Sequence, residues 1–432
     1  MDLENNMTLL NNCLADFTSK KEVLNAMFRY GVLGISDGRL NYKNNPSRSN
    51  LKVKANFIKK FIKEEVSYLL SNKPTLSSKS GNSEIIDYIE KKTSHWSESH
   101  DKDLLRDMLT FGTAFELYYT ETIGQGDKKE ILFSSKVISP RHGYAYFDEN
   151  LEMKFFMRFF KKKFDSTQYI DIYTKDKIYH CDSSFNEIKS ADRHFFGMVP
   201  VTYATISKYK GYDTLFNDIK DLQDAFETNL SDIVNEISDY RLAYFLALGC
   251  ELDADAIAAM KSKGIINSDE KDVIMKFLTK DINDTFVQNT LTTLKENLYE
   301  LSNHINVNEK LSSNLSGVAL RNRLIGLEQR VRDSESALKD MHRNRIFCMF
   351  SLFYKLEKIN YDHRDVSVKY TLNIPQDDLS VAQMLSQVPE GIISKDTARA
   401  QFSFISNTRM EAERVKQEQT EEIPIDLNNL GE

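Results

Sequence analysis

The chain has 432 residues, of which 41% are hydrophobic and 28% are charged, a balance typical of a globular protein with two or three domains. No run of about eighteen apolar residues occurs, so we expect no membrane-spanning helix, and the first residues lack the pattern of a secretory signal. The net charge of −7 argues against a protein whose main task is to bind nucleic acid tightly. The four cysteines are scattered, which suits a reducing compartment.

Residues 1–211 combine two patterns. Residues 1–50 are polar and rich in asparagine, with one helix predicted at 21–29, and from Leu51 to Ala114 apolar residues at helical spacing predict further helices. From Ala114 onwards the residues become aromatic and β-branched, and turn residues separate the short runs, which predicts a meander of antiparallel strands. A cleanly alternating run at 366–374 could return to the same sheet, and the first domain would then be discontinuous.

Residues 212–240 predict a long amphipathic helix, because apolar residues recur there at steps of three and four. Its polar faces carry one base, Lys220, and eight acids: Asp213, Asp218, Asp221, Asp224, Glu227, Asp232, Glu236 and Asp239. An ordinary exposed helix is stabilised by opposite charges four residues apart, and this ratio is too one-sided for that. The pattern therefore indicates an acidic field along the helix.

A small insert and two further helices follow. Residues 241–288 read as a compact mixed segment, 289–305 as a second amphipathic helix, 306–317 as a polar linker, and 318–356 as one helix of about 60 Å. Charged residues lie between the apolar positions of this long helix, and we expect them on its exposed face; they include Arg330, Arg343 and Arg345. After Pro375 come three short helices and a tail that we expect to be mobile.

The sequence contains no phosphate-binding loop and no metal-binding pattern of cysteine and histidine, so we expect no catalytic residue, no metal and no cofactor. Asp218, Asp221 and Asp224 could in principle hold the two metal ions of a nuclease, but such a site needs carboxylates from several elements. In the polar linker, Lys310 could contact a phosphate or simply be an exposed lysine.

Four segments carry a family resemblance: FIKEEVSYLLSNKPT at 61–75, GTAFELYY at 112–119, SDIVNEISDY at 231–240 followed by YFLALG at 244–249, and SGVALR at 316–321. In this order the chain resembles the portal proteins of tailed phages that infect Gram-positive bacteria, of the siphophage type. The likeness covers roughly residues 45–419. None of the four segments is a catalytic signature, so the order of the elements is the more specific part.

The resemblance implies an α+β fold that is mainly α. Its parts would be an α/β wing (1–211), two stem helices (212–240 and 289–305), a small α/β clip (241–288), a tunnel loop (306–317), a long central helix with a returning wing strand (318–375), and a short C-terminal crown with a tail (376–432). The crown would be small, because only short helices follow Pro375. The tunnel loop lacks the glycine-rich run of some relatives.

The resemblance also implies a ring, with twelve subunits expected, that conducts DNA at one capsid vertex during packaging, retention and ejection. The partners would be further copies of the chain, double-stranded DNA without sequence preference, the terminase large subunit, a head–tail adaptor, and the major capsid and scaffolding proteins. The ring would assemble in the host cytoplasm and remain in the virion. A helical scaffold or adaptor without a DNA channel is the alternative, and a metal nuclease is the enzymatic one.

Two sets of residues are the expected channel lining. An acidic stem surface would repel phosphate and let DNA slide, and its members would be Asp218, Asp221, Asp224, Glu227 and Asp232. The tunnel loop would touch the DNA backbone without reading bases, through Asn308, Lys310, Ser312, Ser313 and Asn314.

Overall fold

The fold is taken from a computed structural model. It describes residues 4–42, 49–124, 129–240, 244–248, 254–263, 274–278, 284–306, 317–373, 378–389, 391–399, 402, 405 and 408–421. The chain divides into two compact units, Met1–Leu372 and Asn373–Glu432. Within the described residues, no helix is long and apolar enough to cross a membrane.

The first unit begins with helices: α1 (Met7–Phe28), which a π-helical turn (Arg29–Leu33) extends, α2 (Asp37–Leu40), α3 (Phe57–Leu70), and, after strand β1 (Thr75–Ser78), α4 (Ser83–Thr93) and α5 (His100–Phe111). The Asn56 side chain caps α3 by accepting from the amide of Lys59, which satisfies one of the free amides of the first turn. Gly112, at φ 72°, ends α5 in a left-handed conformation that favours glycine.

Eight strands follow: β2 (Thr113–Ile123), β3 (Glu130–Ile138), β4 (Gly143–Phe147), β5 (Met153–Phe160), β6 (Tyr169–Tyr173), β7 (Lys177–Cys181), β8 (Glu187–Arg193) and β9 (Val201–Thr205). They form two antiparallel sheets, of order β3-β2-β9 and β4-β5-β6-β7-β8. Phe115 and Ile138 of one sheet pack against Phe156 and Tyr173 of the other. Helix α1 covers the five-stranded sheet with Leu10, Cys13 and Phe17.

The remaining elements of this unit are α6 (Leu215–Tyr240), β10 (Tyr244–Leu248), α7 (Ala254–Lys263), β11 (Ile274–Leu278), α8 (Asp284–Leu301), α9 (Gly317–Glu357) and β12 (Val366–Lys369). The helices predicted at 212–240, 289–305 and 318–356 are α6, α8 and α9. β10 and β11 pair antiparallel within the insert. α9 has 41 residues, and its C-terminal half packs on α4 and the three-stranded sheet through Met349, Phe350 and Phe353.

The strand that follows α9 does not return to the predicted sheet. β12 pairs antiparallel with β1, from Thr75 opposite Lys369 to Ser78 opposite Val366. The expectation that 366–374 joins the meander is therefore wrong, although the strand does return to the N-terminal region. The physical reason is local: the carboxylate of Asp365 accepts hydrogen bonds from Ser78 Oγ (2.5 Å) and the Ser80 amide (2.8 Å), which fixes the register beside β1.

A buried ion network joins α5, β2 and α9. Arg345 of α9 lies 2.8 Å from Asp101 Oδ1 and 2.8 Å from Glu116 Oε1. His100 lies 2.9 Å from Glu116, and His342 lies 3.3 Å from Asp101. The sequence-based expectation that Arg345 is on the exposed face of α9 is wrong, because two carboxylates on neighbouring elements neutralise it inside the fold.

The second unit contains three described helices, α10 (Asp378–Gln387), α11 (Lys395–Arg399) and α12 (Thr408–Glu421). Ser394 caps the N-terminus of α11, where its hydroxyl accepts from the amide of Thr397 at 3.1 Å. The division into wing, stem, clip and crown remains a prediction.

Candidate nucleic-acid interface

The five predicted stem acids all lie on α6, but their environments differ. The side chain of Asp221 is fully exposed, with Lys220 Nζ 3.8 Å away. Asp232 is also exposed, and its Oδ1 accepts from the hydroxyl of Tyr42 at 2.7 Å. These two acids are eleven residues apart, which is about three helical turns, so they lie on one stripe of the helix.

The prediction that Glu227 lines the channel is wrong. It is completely buried in the chain, and its carboxylate accepts hydrogen bonds from the Ser36 hydroxyl and, at 2.7 Å, from the amide of Ala55. Burial raises the pKa of Glu227, an effect that these two hydrogen bonds only partly offset. Its carboxylate is therefore a structural acceptor and cannot face an open channel.

Glu227 belongs to a polar ladder between α6 and residues 51–57, the segment that leads into the first residue of α3. Side chains at four-residue intervals along α6 bind alternate backbone groups of this segment. Gln223 accepts from the amide of Phe57 (2.7 Å), Glu227 from that of Ala55 (2.7 Å), Ser231 from that of Val53 (3.1 Å), and Asn235 from that of Leu51 (2.6 Å).

The ladder can form because the distance between its side chains along α6 matches the distance between alternate residues of the facing segment. Four residues of helix rise about 6 Å, and two residues of extended chain about 6.6 Å. Asn235 and Gln223 also donate to the carbonyls of Leu51 (2.9 Å) and Ala55 (3.2 Å). The polar face of α6 thereby satisfies the backbone of a segment that pairs with no described strand.

Truncation of a ladder member is expected to destabilise the fold. Replacing Glu227 by alanine leaves the Ala55 amide and the Ser36 hydroxyl buried without their acceptor, so the free energy of unfolding should fall by about 2–3 kcal/mol. Glu227→Gln keeps an acceptor for the Ala55 amide and should lose much less. Denaturant titration measures both.

The control is Asp221→Asn on the same helix, which should change stability by less than about 0.5 kcal/mol because the side chain is exposed. Equal losses for Glu227→Ala and Asp221→Asn would contradict the structural role of Glu227.

Asp224 is bound to the N-terminal region. Its Oδ1 accepts from the Tyr30 hydroxyl (2.6 Å) and the Gly38 amide (2.9 Å), and its Oδ2 from Lys220 (2.8 Å). A Cβ at position 38 would lie 2.6 Å from the carbonyl oxygen of Asp224, so only glycine allows this approach. Like that of Glu227, the carboxylate of Asp224 is occupied by hydrogen bonds within the chain.

Asp218 belongs to a charged junction between α3, α6 and α9. Arg330 donates to buried Glu65 through Nε (2.7 Å) and to Asp218 through Nη1 (3.4 Å). Burial opposes the charge of Arg330, but Glu65 and Asp218 outweigh it and raise the pKa of this guanidinium. Like Arg345, Arg330 does not lie on an exposed face as the sequence suggested.

The end of α8 is fixed against α3. Tyr299 accepts from Lys60 Nζ at 2.6 Å and packs edge-on against Phe57 and Phe61. His304 stacks on Phe61, with 4.1 Å between ring centroids, and burial lowers the pKa of His304 to about 4, so the ring is neutral at physiological pH. These contacts hold the C-terminal end of α8 against α3.

The predicted tunnel-loop residues Asn308, Lys310, Ser312, Ser313 and Asn314 lie outside the described residues. The described chain reaches 306, two residues beyond the buried His304, and resumes at Gly317, the first residue of α9.

Catalytic chemistry gains no support from the geometry. Among the described residues, no three His, Cys, Asp or Glu side chains come together in a group that could hold a metal ion. Cys13, Cys181 and Cys348 are buried, and burial raises the pKa of each thiol, to about 12 for Cys181. These thiols are therefore protonated at neutral pH and unreactive.

The charge pattern of the sequence did not predict the ladder or the ion pairs of Arg330 and Arg345. A signal for the ladder was nonetheless present: polar residues recur every four positions from Gln223 to Asn235. Their backbone partners lie far away in the chain, from 166 residues for Phe57 to 184 residues for Leu51.

The described residues thus combine two antiparallel sheets, the acidic helix α6 packed with α8, and a helix of 41 residues, α9. The family model for "Phage portal protein, SPP1 Gp6-like" matches residues 10–424, so the chain belongs to this family. It is thus a portal protein, with the portal or connector function of that family. No curated protein matches the chain.

A solved structure supports the same fold. A chain described under "Neck of empty GTA particle computed with C6 symmetry" is 10% identical, with a TM-score of 0.50 over 87% of this chain and 92% of that one. Chains from the virion of a native gene transfer agent (GTA) particle and from its neck computed with C12 symmetry show the same identity and coverage, with TM-scores of 0.48. The predicted α+β portal fold is confirmed.

Proposed function

We propose that the chain forms a closed homo-oligomeric ring, of the twelve subunits that the resemblance implies, at one vertex of a virion, and that double-stranded DNA passes through this ring during packaging, retention and ejection. The observation that carries the proposal is the match to the portal family over residues 10–424. A structural relative described as a particle neck computed with C6 symmetry supports it.

Exposed apolar side chains on the helix pair and α9 favour assembly. Ile237 of α6 is 57% exposed, Phe286 and Leu301 of α8 are 69% and 55% exposed, and Ile325 of α9 is 47% exposed. A ring in which each subunit contacts the next through unlike surfaces would cover such residues. Covering a large apolar side chain contributes about 1.5–3 kcal/mol.

Fewer acids of α6 line the channel in this proposal than the sequence suggested. Asp221 and Asp232 are its members, because both are exposed on one stripe of α6. Asp218 and Asp224 contribute negative charge at the base while they remain bound within the chain. Repeated around a ring, these carboxylates repel phosphate, so a duplex can move without sticking.

The tunnel loop remains part of the proposal through Asn308, Lys310, Ser312, Ser313 and Asn314. Neutral hydrogen-bonding groups and one lysine per subunit suit contacts to the DNA backbone, which carry no base information. The ring acts without intrinsic catalysis. The terminase large subunit supplies the motor, the head–tail adaptor and the capsid and scaffolding proteins bind the ring, and assembly takes place in the host cytoplasm.

The direct test of this proposal is the mass and activity of the purified full chain. The mass in solution should be that of a closed multiple of the 50.0 kDa subunit, and incubation with ATP or with DNA and a divalent metal should give no turnover. A monomer at all concentrations and salts would contradict the ring. Metal-dependent DNA cleavage that Asp221→Asn abolishes would favour the nuclease alternative.

A further inference from the structure

A basic groove lies between α9 and β12, far in the chain from the acidic stem. One wall is a face of α9 with Lys339, Arg343 and Ile346, and the other is residues 366–368 of β12; the volume is about 430 Å³. Residues three and four apart share one face of a helix, so the first wall is continuous.

The rim of the basic groove is strongly cationic. Lys79, His363 and Arg364 complete the lining together with Lys339 and Arg343, and none of the described side chains that line the groove is acidic. The charged side chains that line the groove are therefore all basic, in a chain whose net charge is −7. The lining therefore favours an anionic occupant.

Three basic side chains of the rim are paired with acids that lie outside the lining. Lys339 binds Glu335 at 2.6 Å, Arg343 binds Asp340 at 3.0 Å, and Arg364 binds Asp362 at 2.9 Å. The basic side chains are 44%, 61% and 78% exposed. The Arg343 and Arg364 pairs are exposed at both ends and contribute little. A ligand carboxylate can replace those two partners at small cost, and Lys339, whose partner Glu335 is 13% exposed, can bind a second acceptor beside it.

The floor of the basic groove is apolar and includes a strand edge. Ile346 is 3% exposed, and Val366 and Val368 are half-buried. Successive strand residues point to opposite faces, so a groove that touches three in a row reaches the edge of β12. Among the described strands, β12 pairs with β1 alone, which leaves its second edge for another strand.

We propose that the basic groove binds an extended acidic segment of another protein, which adds as a strand to the free edge of β12. Apolar side chains of the segment pack on Ile346, Val366 and Val368, and its carboxylates bind Lys339 and Arg343. Backbone pairing supplies affinity and the alternate side chains supply specificity. A DNA duplex could touch the rim with its phosphates, but it has no group that fits an apolar floor or a strand edge.

The test uses the full chain and a short fluorescent peptide of alternating glutamate and valine as the probe. The peptide should bind, and the double variant Lys339→Glu/Arg343→Glu should weaken binding by about tenfold or more, as measured by anisotropy. The milder Lys339→Gln/Arg343→Gln pair should weaken it less. Peptide binding should also slow hydrogen exchange of the amides at Val366–Lys369, which loose electrostatic attachment would not do.

The matched control is Lys63→Glu/Arg332→Glu, which changes the charge equally at exposed positions outside the basic groove. This variant should bind the peptide as the parent does. Equal weakening in both double variants, no binding of the peptide by the parent, or unchanged exchange at β12 would overturn the proposal. So would duplex DNA that binds more tightly than the peptide and loses affinity in the groove variant alone.

Discussion

Replacing Arg345 by methionine is expected to lower the free energy of unfolding by about 3–5 kcal/mol, because the change leaves the buried carboxylate of Glu116 and the partly buried carboxylate of Asp101 without their shared cation. The side chain of Glu116 is completely buried. A like-charged pair would then remain inside the junction of α5, β2 and α9. Chemical denaturation measures the loss.

The dependence on pH separates this effect from lost packing. Burial opposes ionisation of Glu116, but Arg345 and His100 outweigh it and lower the pKa of this carboxyl to about 2. A depressed pKa stabilises the fold above the ordinary value of 4.5, and the contribution is lost as the pH falls towards 2. Without Arg345, burial raises the pKa instead, so the variant should lose least, relative to the parent, near pH 4 or below.

The control for this prediction is Arg343→Met, on the same helix, where an exposed pair with Asp340 is lost and the expected change is below about 0.5 kcal/mol. If Arg345→Met and Arg343→Met destabilise the chain equally at neutral pH, the network does not stabilise the fold as described.

On the proposal that Asp221 and Asp232 line a DNA channel, reversing their charges should make the assembled ring retain DNA. The change Asp221→Lys/Asp232→Lys removes two negative charges and adds two positive ones, which raises the net charge by four per subunit, and a ring of subunits would multiply this number. Binding of a linear duplex to the assembled ring should strengthen on the order of a hundredfold at low salt, with a steeper decrease as salt rises. Titrations at several salt concentrations measure both quantities.

The control is Glu152→Lys/Asp340→Lys, which makes the same change in net charge at exposed positions outside α6. If both double variants bind DNA equally well, overall charge explains the result and the stem carboxylates do not line a channel. If the stem variant fails to assemble, these acids are subunit contacts instead.

The helices of the fold were the most predictable part. Regular spacing of apolar residues placed the helices at 212–240 and 318–356 within a few residues of α6 and α9, because long periodic segments average out local exceptions. The N-terminal helix was less predictable. A helix was expected only at 21–29, whereas α1 spans Met7–Phe28, because packing of Leu10 and Phe17 on the five-stranded sheet stabilises a segment of weak helical propensity.

Residue roles were less predictable than elements. Glu227, Arg330 and Arg345 looked like surface charges from the sequence, yet each binds a group on a distant element. β12 was predicted as a strand, but its partner β1 was not, because a strand of four residues is too short to show a clear alternating pattern. The sheet that β12 joins could therefore not be predicted either. Charge in a helix thus predicts exposure only when the neighbouring elements carry no complementary group.

The most direct test of the portal account is electron microscopy of the assembled full chain with and without duplex DNA. We predict closed rings with one central channel, twelve subunits in top view, α6 and α8 side by side around the channel, and DNA along its axis. Monomers, open filaments, or rings in which α6 and α8 lie on the outer surface and DNA is absent from the axis would contradict the account.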